Sequence, residues 1–363
     1  MLYIRTDANP TIATGHVMRC MSIAREVMKL GQKITFLVAD EHVRELIESN
    51  GYSCICMNSK WDDLDLELER LILLIQEYNI DRLLIDSYYV TEHYLSELRK
   101  HTKVFYLDDL AMFPYPVDVL INYNNYVEKL DYHSGYNWNV NYFLGCKYIP
   151  LREEFRGIKR IFRNIVSRIL ITTGGADYYH VAKKFIHYLE QETLLQEKTT
   201  MKTKQKELLD KRPYDIRTIQ YHIIVGNFNS DREYLEELAS KYPQIILHFN
   251  VTNMSEIMRN CDIAITAGGS TMYELCACGV PMITYTFADN QLLGAKGFEQ
   301  LGVASYCGDI RNGELDLWRR INAAIRQYAT NQEYRFNIGS KMQSLVDGKG
   351  AIRLARILTN PIV

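Results

Sequence analysis

The sequence predicts an α/β protein made of two domains, each built on a parallel β-sheet with helices on both faces. Two observations support this fold class. The chain has 363 residues, which is long enough for two domains of ordinary size. Along it, short β-rich runs alternate with amphipathic stretches in two successive series, as in β-α-β units. We therefore expect two Rossmann-like domains, with their parallel sheets facing each other across a cleft.

The first series defines an N-terminal domain over residues 1–155. Its strands are indicated by short apolar and β-branched runs, and its helices by apolar residues that recur with helical spacing. The predicted strands are Leu2–Arg5, Lys33–Val38, Ser53–Met57, Arg82–Ile85, Val104–Leu107 and Val117–Ile121. The predicted helices are His16–Leu30, Glu41–Ser49, Leu64–Tyr78 and Glu92–Lys100.

The second series defines a C-terminal domain over residues 165–345, after a polar, arginine-rich join near residues 150–166. Beyond Asn312 the pattern is helical, and residues 346–363 are expected to form a C-terminal helix. The predicted strands are Ile169–Thr173, Tyr221–Val225, Ile245–Phe249, Asp262–Thr266 and Met282–Tyr285. The predicted helices are Tyr178–Leu189, Arg232–Lys241, Ser255–Asn260, Thr271–Cys278 and Leu292–Gln300.

One segment of the second series does not fit the alternation. Residues 191–217 are rich in Lys, Gln, Glu and Thr and have no apolar face long enough to belong to a core. We expect this segment to be a surface insertion or a mobile loop.

Composition and charge exclude several classes of function. The chain is 47% hydrophobic and 24% charged, with a formal net charge of -2, so no global field attracts nucleic acid or an acidic membrane. The tyrosines are numerous but lack the basic interleaving of a nucleic-acid platform. We find no signal peptide and no apolar run of the roughly 20 residues that cross a bilayer. We therefore expect a soluble, cytoplasmic protein that binds no nucleic acid and does not insert into membranes.

The eight cysteines do not have the spacing of a zinc site, since no C-x-x-C pair and no Cys/His cluster occurs. Several of them lie within apolar helical patterns. Buried, reduced thiols are the expected state.

The first predicted helix carries a candidate catalytic histidine. Ligands of open parallel sheets bind beyond the carboxyl ends of the strands, and there Thr14 and Gly15 close a loop and His16 begins a helix. The partial positive charge of a helix start disfavours an imidazolium, so His16 is expected to be neutral and able to accept a proton. The alternative is a first-turn residue with only a local hydrogen bond. Asp7, at the same edge, is either a second acid/base group or a cap of the loop.

The strongest candidate for a ligand site follows a predicted strand of the second domain. Gly268 and Gly269 allow a ligand to approach the backbone, and Ser270 and Thr271 open a helix. Free N–H groups, the helix dipole and two hydroxyls then converge, which suits a diphosphate. Glu274 lies one turn into the helix, where a carboxylate can accept ribose hydroxyls. The alternative for the T-x-x-E spacing is a purely structural capping box.

Three further features are weaker signals. Gly174 and Gly175 follow the first strand of the second domain and form either a ligand contact or a tight turn. Asn290 and Gln291 open a helix and either cap it or contact a sugar. The D-x-D pair at residues 63–65 imitates a manganese motif, but it stands among other acids at a helix start, where acidic residues are favourable without a metal. We therefore expect no metal and no cofactor.

Several motifs together resemble a known enzyme family. The chain opens with RTDANPTIATGHVMRCMSIA, which is similar to the signature R-x-D-A-x-x-x-I-G-x-G-H-x-M-R-C-x-x-L-A of the UDP-2,4-diacetamido-2,4,6-trideoxy-β-L-altropyranose hydrolases of pseudaminic acid biosynthesis. IDSYYV, VFYLDDL and YIPLREEF resemble later segments of that family. AGGSTMYELCACGVPMI resembles the UDP-binding loop of the wider superfamily of MurG-like GT-B glycosyltransferases, in which spore-coat polysaccharide proteins are also found.

The resemblance implies a GT-B fold and a hydrolase that releases UDP from the anomeric carbon of a UDP-sugar and leaves a free 2,4-diacetamido-2,4,6-trideoxyhexose. His16 would be the catalytic residue that activates or orients water, and Tyr88 would line the sugar site. The binding roles would belong to Ser270 and Thr271 for the diphosphate, Glu274 for the ribose, and Asn290 and Gln291 near the phosphates or sugar. A GT-B glycosyltransferase using the same donor and a non-catalytic nucleotide-sugar-binding protein are the alternatives. The sequence leaves the oligomeric state open.

Overall fold

The computed structural model describes residues 1–9, 11–12, 14–132, 134–135, 139–202 and 218–360, with residues 192–202 described by their backbone. The chain divides into two compact units. The first consists of Met1–Arg156 together with Gly348–Val363, and the second of Gly157–Asp347.

The first unit is built on a seven-stranded sheet in the order β3-β2-β1-β4-β5-β6-β7, with every pairing parallel. The central strands β1 and β4 are almost wholly buried, as expected for a sheet covered on both faces. The strands are β1 Leu2–Thr6, β2 Ile34–Val38, β3 Ser53–Cys56, β4 Arg82–Asp86, β5 Lys103–Leu107, β6 Val119–Asn122 and β7 Asn141–Leu144.

Four α-helices connect the successive strands from β1 to β5, as parallel pairing of these strands requires. They are α1 Gly15–Lys29, α2 Arg44–Ser49, α3 Leu68–Glu77 and α4 Glu92–Arg99. Helix α1 forms because apolar residues repeat along one face, so that Val17, Cys20, Ala24 and Val27 are buried while the opposite face is solvated.

The second unit has a six-stranded parallel sheet in the order β10-β9-β8-β11-β12-β13. Its strands are β8 Arg168–Thr172, β9 Gln220–Val225, β10 Ile245–Phe249, β11 Ile263–Ala267, β12 Met282–Thr286 and β13 Ala304–Asp309. Its helices are α5 Val181–Lys202, α6 Arg232–Lys241, α7 Met254–Arg259, α8 Thr271–Cys278, α9 Leu292–Gln300, α10 Glu314–Thr330 and α11 Gln332–Leu345.

The strand order reverses once in each sheet. It runs back from the third strand to the first and then continues with the fourth, so the reversal lies between β1 and β4 and between β8 and β11. Loops that leave such a switch point diverge to opposite faces and open a crevice beyond the carboxyl ends of the strands. Each unit therefore has one crevice, at the carboxyl ends of its central strands, where ligand binding is favoured.

The last helix, α12 Gly350–Thr359, belongs to the first unit and packs against α1. Gly350 allows the start of α12 to lie close to the segment after β7, because a Cβ there would lie 2.0 Å from the carbonyl oxygen of Ile149. Arg353 donates to the carbonyl of Lys147, and Arg82 donates to the carbonyl of Leu358. Helix α12 thus supports α1, which carries His16 in its first turn.

Two edge strands, β7 and β13, were not predicted. Neither contains a long apolar run (NYFL and ASYCGD), and both are only partly buried, because a strand at the edge of a sheet has one neighbour instead of two.

The expectation of a loop over residues 191–217 is wrong for its first part. Helix α5 continues to Lys202, since Gln, Glu, Lys and Leu are good helix formers even without an apolar face. Residues 203–217 lie outside the described part of the chain.

None of the eight cysteines forms a disulfide, and six of them are buried. Among the described residues, no helix combines the length and the apolar character needed to span a bilayer.

Candidate active site

His16 and Asp86 meet at the switch point of the first sheet. Strand β1 ends at Thr6, which pairs with Asp86, the last residue of β4. The loop after β1 leads into α1, so that His16 in its first turn lies over the end of β4. The imidazole Nδ1 and the carboxylate Oδ1 of Asp86 are 2.6 Å apart, and both residues are buried.

The ionisation of Asp86 fixes the position of the imidazole proton. Burial would raise the pKa of Asp86, but Arg19 and His16 outweigh it and hold that pKa well below its usual range. An ionised carboxylate only accepts hydrogen bonds, so Nδ1 of His16 carries the proton that it shares with Asp86. The contact between Nδ1 and Arg19 Nη2 is longer, at 3.1 Å, and does not compete. The lone pair of a neutral His16 is therefore on Nε2, which has no hydrogen-bond partner among the described residues.

Arg19, one turn along α1 from His16, joins two carboxylates. Its Nε and Nη2 donate to the two oxygens of Asp86 at 2.7 and 2.5 Å, and its Nη1 donates to Asp109 Oδ2 at 2.8 Å. Nη1 also donates to the hydroxyl of Tyr123. Burial acts to lower the pKa of Arg19, but Asp109 and Asp86 raise it well above its usual value. The guanidinium is thus a permanent cation at the centre of the site.

Tyr88 lies against the histidine. Its ring meets the ring of His16 edge to face, with centroids 4.6 Å apart, and its hydroxyl donates to Asp109 Oδ2 at 3.0 Å. The residue is 41% exposed, so it forms part of the surface beside His16. The structure therefore brings together His16 and Tyr88, which the sequence had selected separately.

Asp7 is placed in a different environment. Its Oδ1 accepts from the backbone N–H of Ala39 at 2.7 Å, and its Oδ2 accepts from Arg5 Nη1 at 2.5 Å. Arg5 is fully buried and also forms a two-pronged ion pair with Glu67, at 2.6 and 2.9 Å. Both oxygens of Asp7 are engaged in holding strands β1 and β2, which favours a structural role over the acid/base alternative.

In the second unit, two glycine loops leave the switch point side by side. Gly174 and Gly175 follow β8, and Gly268 and Gly269 follow β11, and these two strands pair up to Thr172 and Thr266. Gly174 has φ +87°, a conformation that favours glycine. The backbone of Gly175 is in close contact with the next loop, since a Cβ on Gly226 would lie 2.2 Å from its carbonyl oxygen.

The start of α8 has two backbone donors without acceptors. Ser270 is the N-cap residue, but its side chain makes no capping bond. The N–H groups of Met272 and Tyr273 donate to the carbonyls of Gly269 and Ser270. Within the described residues, the N–H groups of Ser270 and Thr271 have no such partner, and both residues are at least partly exposed. Free N–H groups at a helix N-terminus favour an anion.

The capping-box alternative for Thr271 and Glu274 is wrong. A capping box places its hydroxyl residue at the N-cap and its Glu three residues later. Because Ser270 is the N-cap, Thr271 is already the first helical residue. The hydroxyl of Thr271 is therefore not needed to cap the N-terminus of the helix.

Gly268 is tightly packed, since a Cβ there would lie 3.1 Å from both Gln291 Cβ and Thr286 Cγ2. Gln291 ends a 3-10 turn, Asp289–Gln291, and its Oε1 accepts from the N–H of Phe287 at 3.0 Å. Gln291 is the N-cap residue of α9 but makes no side-chain capping bond, so this bond holds the loop after β12 instead. Asn290 is exposed in the same turn.

The D-x-D pair lies where a 3-10 turn, Leu64–Glu67, begins. Asp65 accepts from the hydroxyl of Thr91 at 2.9 Å. Within the described ranges, no group of three or more His, Cys, Asp or Glu side chains is arranged to hold a metal ion.

Three residues around His16, which together with it form what we call the histidine cluster, were not selected from the sequence: Arg19, Asp86 and Asp109. A signal for Asp86 was present, because it directly follows the predicted strand Arg82–Ile85, at the sheet edge where ligands bind. Arg19 and Asp109 gave no comparable signal, since long-range partners decide whether such residues are solvated or buried.

Comparison with known proteins gives the context of this geometry. Residues 170–347 match the glycosyltransferase family 28 C-terminal domain. The crystal structure of Acinetobacter baumannii MurG superposes with a TM-score of 0.69 at 11% identity, covering 98% of this chain and 99% of that one. This chain has a MurG-like GT-B fold. The predicted fold class, two Rossmann-like units with parallel sheets, is thereby confirmed.

Two curated relatives of this GT-B chain carry the enzyme name that the sequence motifs suggested. This chain is 23% identical over 302 residues to the UDP-2,4-diacetamido-2,4,6-trideoxy-beta-L-altropyranose hydrolase of Campylobacter jejuni. The match covers 81% of this chain and 96% of the relative. The chain is 24% identical over 311 residues to a Helicobacter pylori protein named pseudaminic acid cytidylyltransferase and hydrolase of the same compound, covering 83% and 47%. The chain spans about half the length of several relatives, between 47% and 58%.

Proposed function

We propose that this GT-B protein is a UDP-sugar hydrolase that releases UDP and a free 2,4-diacetamido-2,4,6-trideoxyhexose, for the biosynthesis of pseudaminic-type acids or surface polysaccharides. One observation carries the proposal. The ionised carboxylate of Asp86 lies 2.6 Å from Nδ1 of His16, which leaves Nε2 as the proton acceptor. The names of the Campylobacter and Helicobacter relatives support the choice of substrate.

The nucleotide is held by the second unit. The diphosphate accepts hydrogen bonds from the N–H groups of Ser270 and Thr271 and from their hydroxyls, at the positive end of α8. Gly269 leaves room for this approach, since no atom lies within 4 Å of where its Cβ would be. Glu274, one turn into α8, accepts the ribose hydroxyls.

The chemical step takes place at Nε2 of His16. Nε2 accepts a proton from a water molecule while the water oxygen forms a bond to the anomeric carbon of the sugar. The bond between that carbon and the β-phosphate oxygen breaks, and its electron pair leaves with UDP. The resulting imidazolium is stabilised by Asp86. General-base assistance of this kind contributes roughly 10²–10⁴-fold, and stabilisation of the departing diphosphate by fixed N–H donors contributes further.

A glycosyltransferase is the second candidate, favoured by the match to the glycosyltransferase family 28 C-terminal domain. It would use the same donor, and His16 would deprotonate an acceptor hydroxyl instead of water. A non-catalytic nucleotide-sugar-binding protein would bind UDP but turn over no donor.

The deciding experiment measures UDP release from a panel of UDP-sugars without an acceptor, together with UDP binding by calorimetry. The hydrolase releases UDP from a 2,4-diacetamido donor, whereas a transferase is nearly silent until an acceptor is added. In H₂¹⁸O the label should enter the sugar and not the phosphate, because water attacks carbon.

The matched variant is His16→Ala. UDP should bind to it as to the wild type, because the nucleotide is held by the second unit, and turnover should fall at least about 10²-fold. A fall of less than about tenfold would rule out His16 as the base. A lack of UDP affinity in the wild type would rule out the whole proposal.

A further inference from the structure

Asp109 contacts Arg19 and Tyr88, the two residues that lie on either side of the candidate base His16. It follows β5, the strand next to β4, and its side chain is 11% exposed. Oδ2 accepts from Arg19 Nη1 at 2.8 Å and from the hydroxyl of Tyr88 at 3.0 Å, and Oδ1 accepts from Asn124 Nδ2 at 2.9 Å. Three donors from α1 and from the loops after β4 and β6 therefore converge on one carboxylate.

Two of these donors determine where His16 sits. Arg19 holds the same Asp86 oxygen that accepts from His16, and its Nη2 is 3.1 Å from the imidazole Nδ1. The ring of Tyr88 packs edge-on against the imidazole. The hydrogen bonds of Asp109 go to Arg19, Tyr88 and Asn124 and not to His16, so it can position the imidazole only through Arg19 or Tyr88.

We propose that Asp109 is a positioning residue for His16, because it fixes Arg19 and Tyr88 on two sides of the imidazole. This inference rests on the proposed hydrolase function. Without its carboxylate, Nη1 of Arg19 loses its ionic partner and the hydroxyl of Tyr88 loses its acceptor. Both side chains then have other rotamers available, and Nε2 is held less firmly toward the attacking water.

The charges of the cluster support this role. Asp86 and Asp109 carry one negative charge each and Arg19 carries one positive charge, so the cluster with a neutral His16 has a net charge of about -1. The imidazolium that forms during the reaction brings this sum to zero. Neutralising Asp109 would leave a net positive charge at that moment, which is unfavourable at a largely buried site.

The backbone holds Asp109 in place through its neighbour. Asp108 is buried and accepts from the N–H groups of Leu110 and Ala111 at 3.0 and 2.8 Å and from the hydroxyl of Tyr115 at 2.9 Å. The loop after β5 is thereby anchored on one side by Asp108, while Asp109 reaches the histidine cluster. Of the two adjacent carboxylates, Asp108 therefore stabilises the loop and Asp109 contacts Arg19 and Tyr88.

The test is Asp109→Asn, with Asp118→Asn as the matched control. Asp118 precedes β6 at the opposite edge of the same sheet, where it accepts from Arg99 and from the N–H of Val104. We expect Asp109→Asn to lower kcat about 10- to 100-fold, the range for a misplaced catalytic group. KM and UDP affinity should stay within about twofold, since the loss concerns the chemical step. The control should keep wild-type kcat.

A double variant separates positioning from a general structural effect. If Asp109 acts only through His16, then Asp109→Asn in a His16→Ala background should change kcat by less than about threefold. Additive losses, or a loss accompanied by weaker UDP binding, would overturn the proposal, as would unchanged kcat in the single variant. If the wild type releases no UDP from any donor, the hydrolase function itself fails, which is a different outcome.

Discussion

His16 Nδ1 and Asp86 Oδ1 lie 2.6 Å apart across the point where the strand order of the first sheet reverses. The two residues are 70 positions apart in the chain: Asp86 is the last residue of β4, and His16 lies in the first turn of α1, after the loop that follows β1. The pair is therefore a direct product of the parallel topology.

Asp86→Asn tests whether the carboxylate fixes the imidazole proton. The amide can present its NH₂ group to Nδ1, which favours the tautomer with the proton on Nε2 and removes the base. We expect kcat to fall at least about 10²-fold, measured as UDP release. UDP affinity by calorimetry should not change, because Ser270 and Thr271 are untouched. Activity within about tenfold of the wild type would contradict this role for Asp86.

Asp7→Asn distinguishes the structural role of Asp7 from an acid/base role. The substitution weakens an ion pair with fully buried Arg5, and breaking a buried pair costs on the order of 3–5 kcal/mol when the partner charge is left alone. Glu67 still neutralises Arg5, so we expect a smaller loss, seen as a lower Tm. The kcat of the folded fraction should stay within about tenfold. A large fall in kcat with an unchanged Tm would show that Asp7 takes part in the chemistry.

Gly268→Ala and Gly269→Ala form a matched pair in the loop after β11. A Cβ at Gly268 meets side chains of Gln291 and Thr286 at 3.1 Å, whereas a Cβ at Gly269 meets nothing within 4 Å. We expect Gly268→Ala to destabilise the protein by about 1–3 kcal/mol, as overpacking does. Gly269→Ala should stay within about 0.5 kcal/mol in the absence of nucleotide. Equal denaturation midpoints for the two variants would contradict this packing.

His222 predicts a loss of stability in mild acid. Its Nδ1 lies 2.9 Å from Nε2 of His248, and burial and His248 lower the pKa of His222 to about 4. Between pH 6.5 and about 4 the unfolded chain binds a proton at this residue that the folded protein does not bind. Stability therefore falls as the pH falls through this window, by on the order of 1 kcal/mol, since the half-exposed site is screened by solvent.

Urea midpoints at pH 7 and pH 4.5 check this expectation. His222→Gln should reduce the difference between the two midpoints, while His93→Gln, at an exposed position of α4, should leave it unchanged. An undiminished difference in His222→Gln would assign the acid sensitivity to other groups.

The sequence was sufficient for most of the fold because the central strands and the amphipathic helices have strong local patterns. It located α8, α6 and α9 to the residue, and it missed edge strands such as β7, whose side chains are only partly buried. His16 and the loop before α8 could be selected as candidates in the same way, because each follows a predicted strand. Whether these residues form a functional site depends on contacts with residues that are distant in the sequence.

The prediction that His16 is neutral was based on the helix start alone. The structure adds two charged neighbours: the carboxylate of Asp86, which contacts Nδ1 of His16, and the guanidinium of Arg19, which donates to both oxygens of that carboxylate. These charges become close only after β1, β4 and α1 have assembled. The local sequence around His16 therefore could not show how these charges affect it.

The position of α12 has a consequence for biosynthesis. The first unit needs this helix, yet the 191 residues from Gly157 to Asp347 separate it from the rest of that unit. At about 5–20 residues per second, a ribosome requires roughly 10–40 s to translate that interval. During this time α1 is exposed on the surface that α12 later covers, so we expect nascent chains to depend on chaperones at this face of the helix that carries His16 in its first turn.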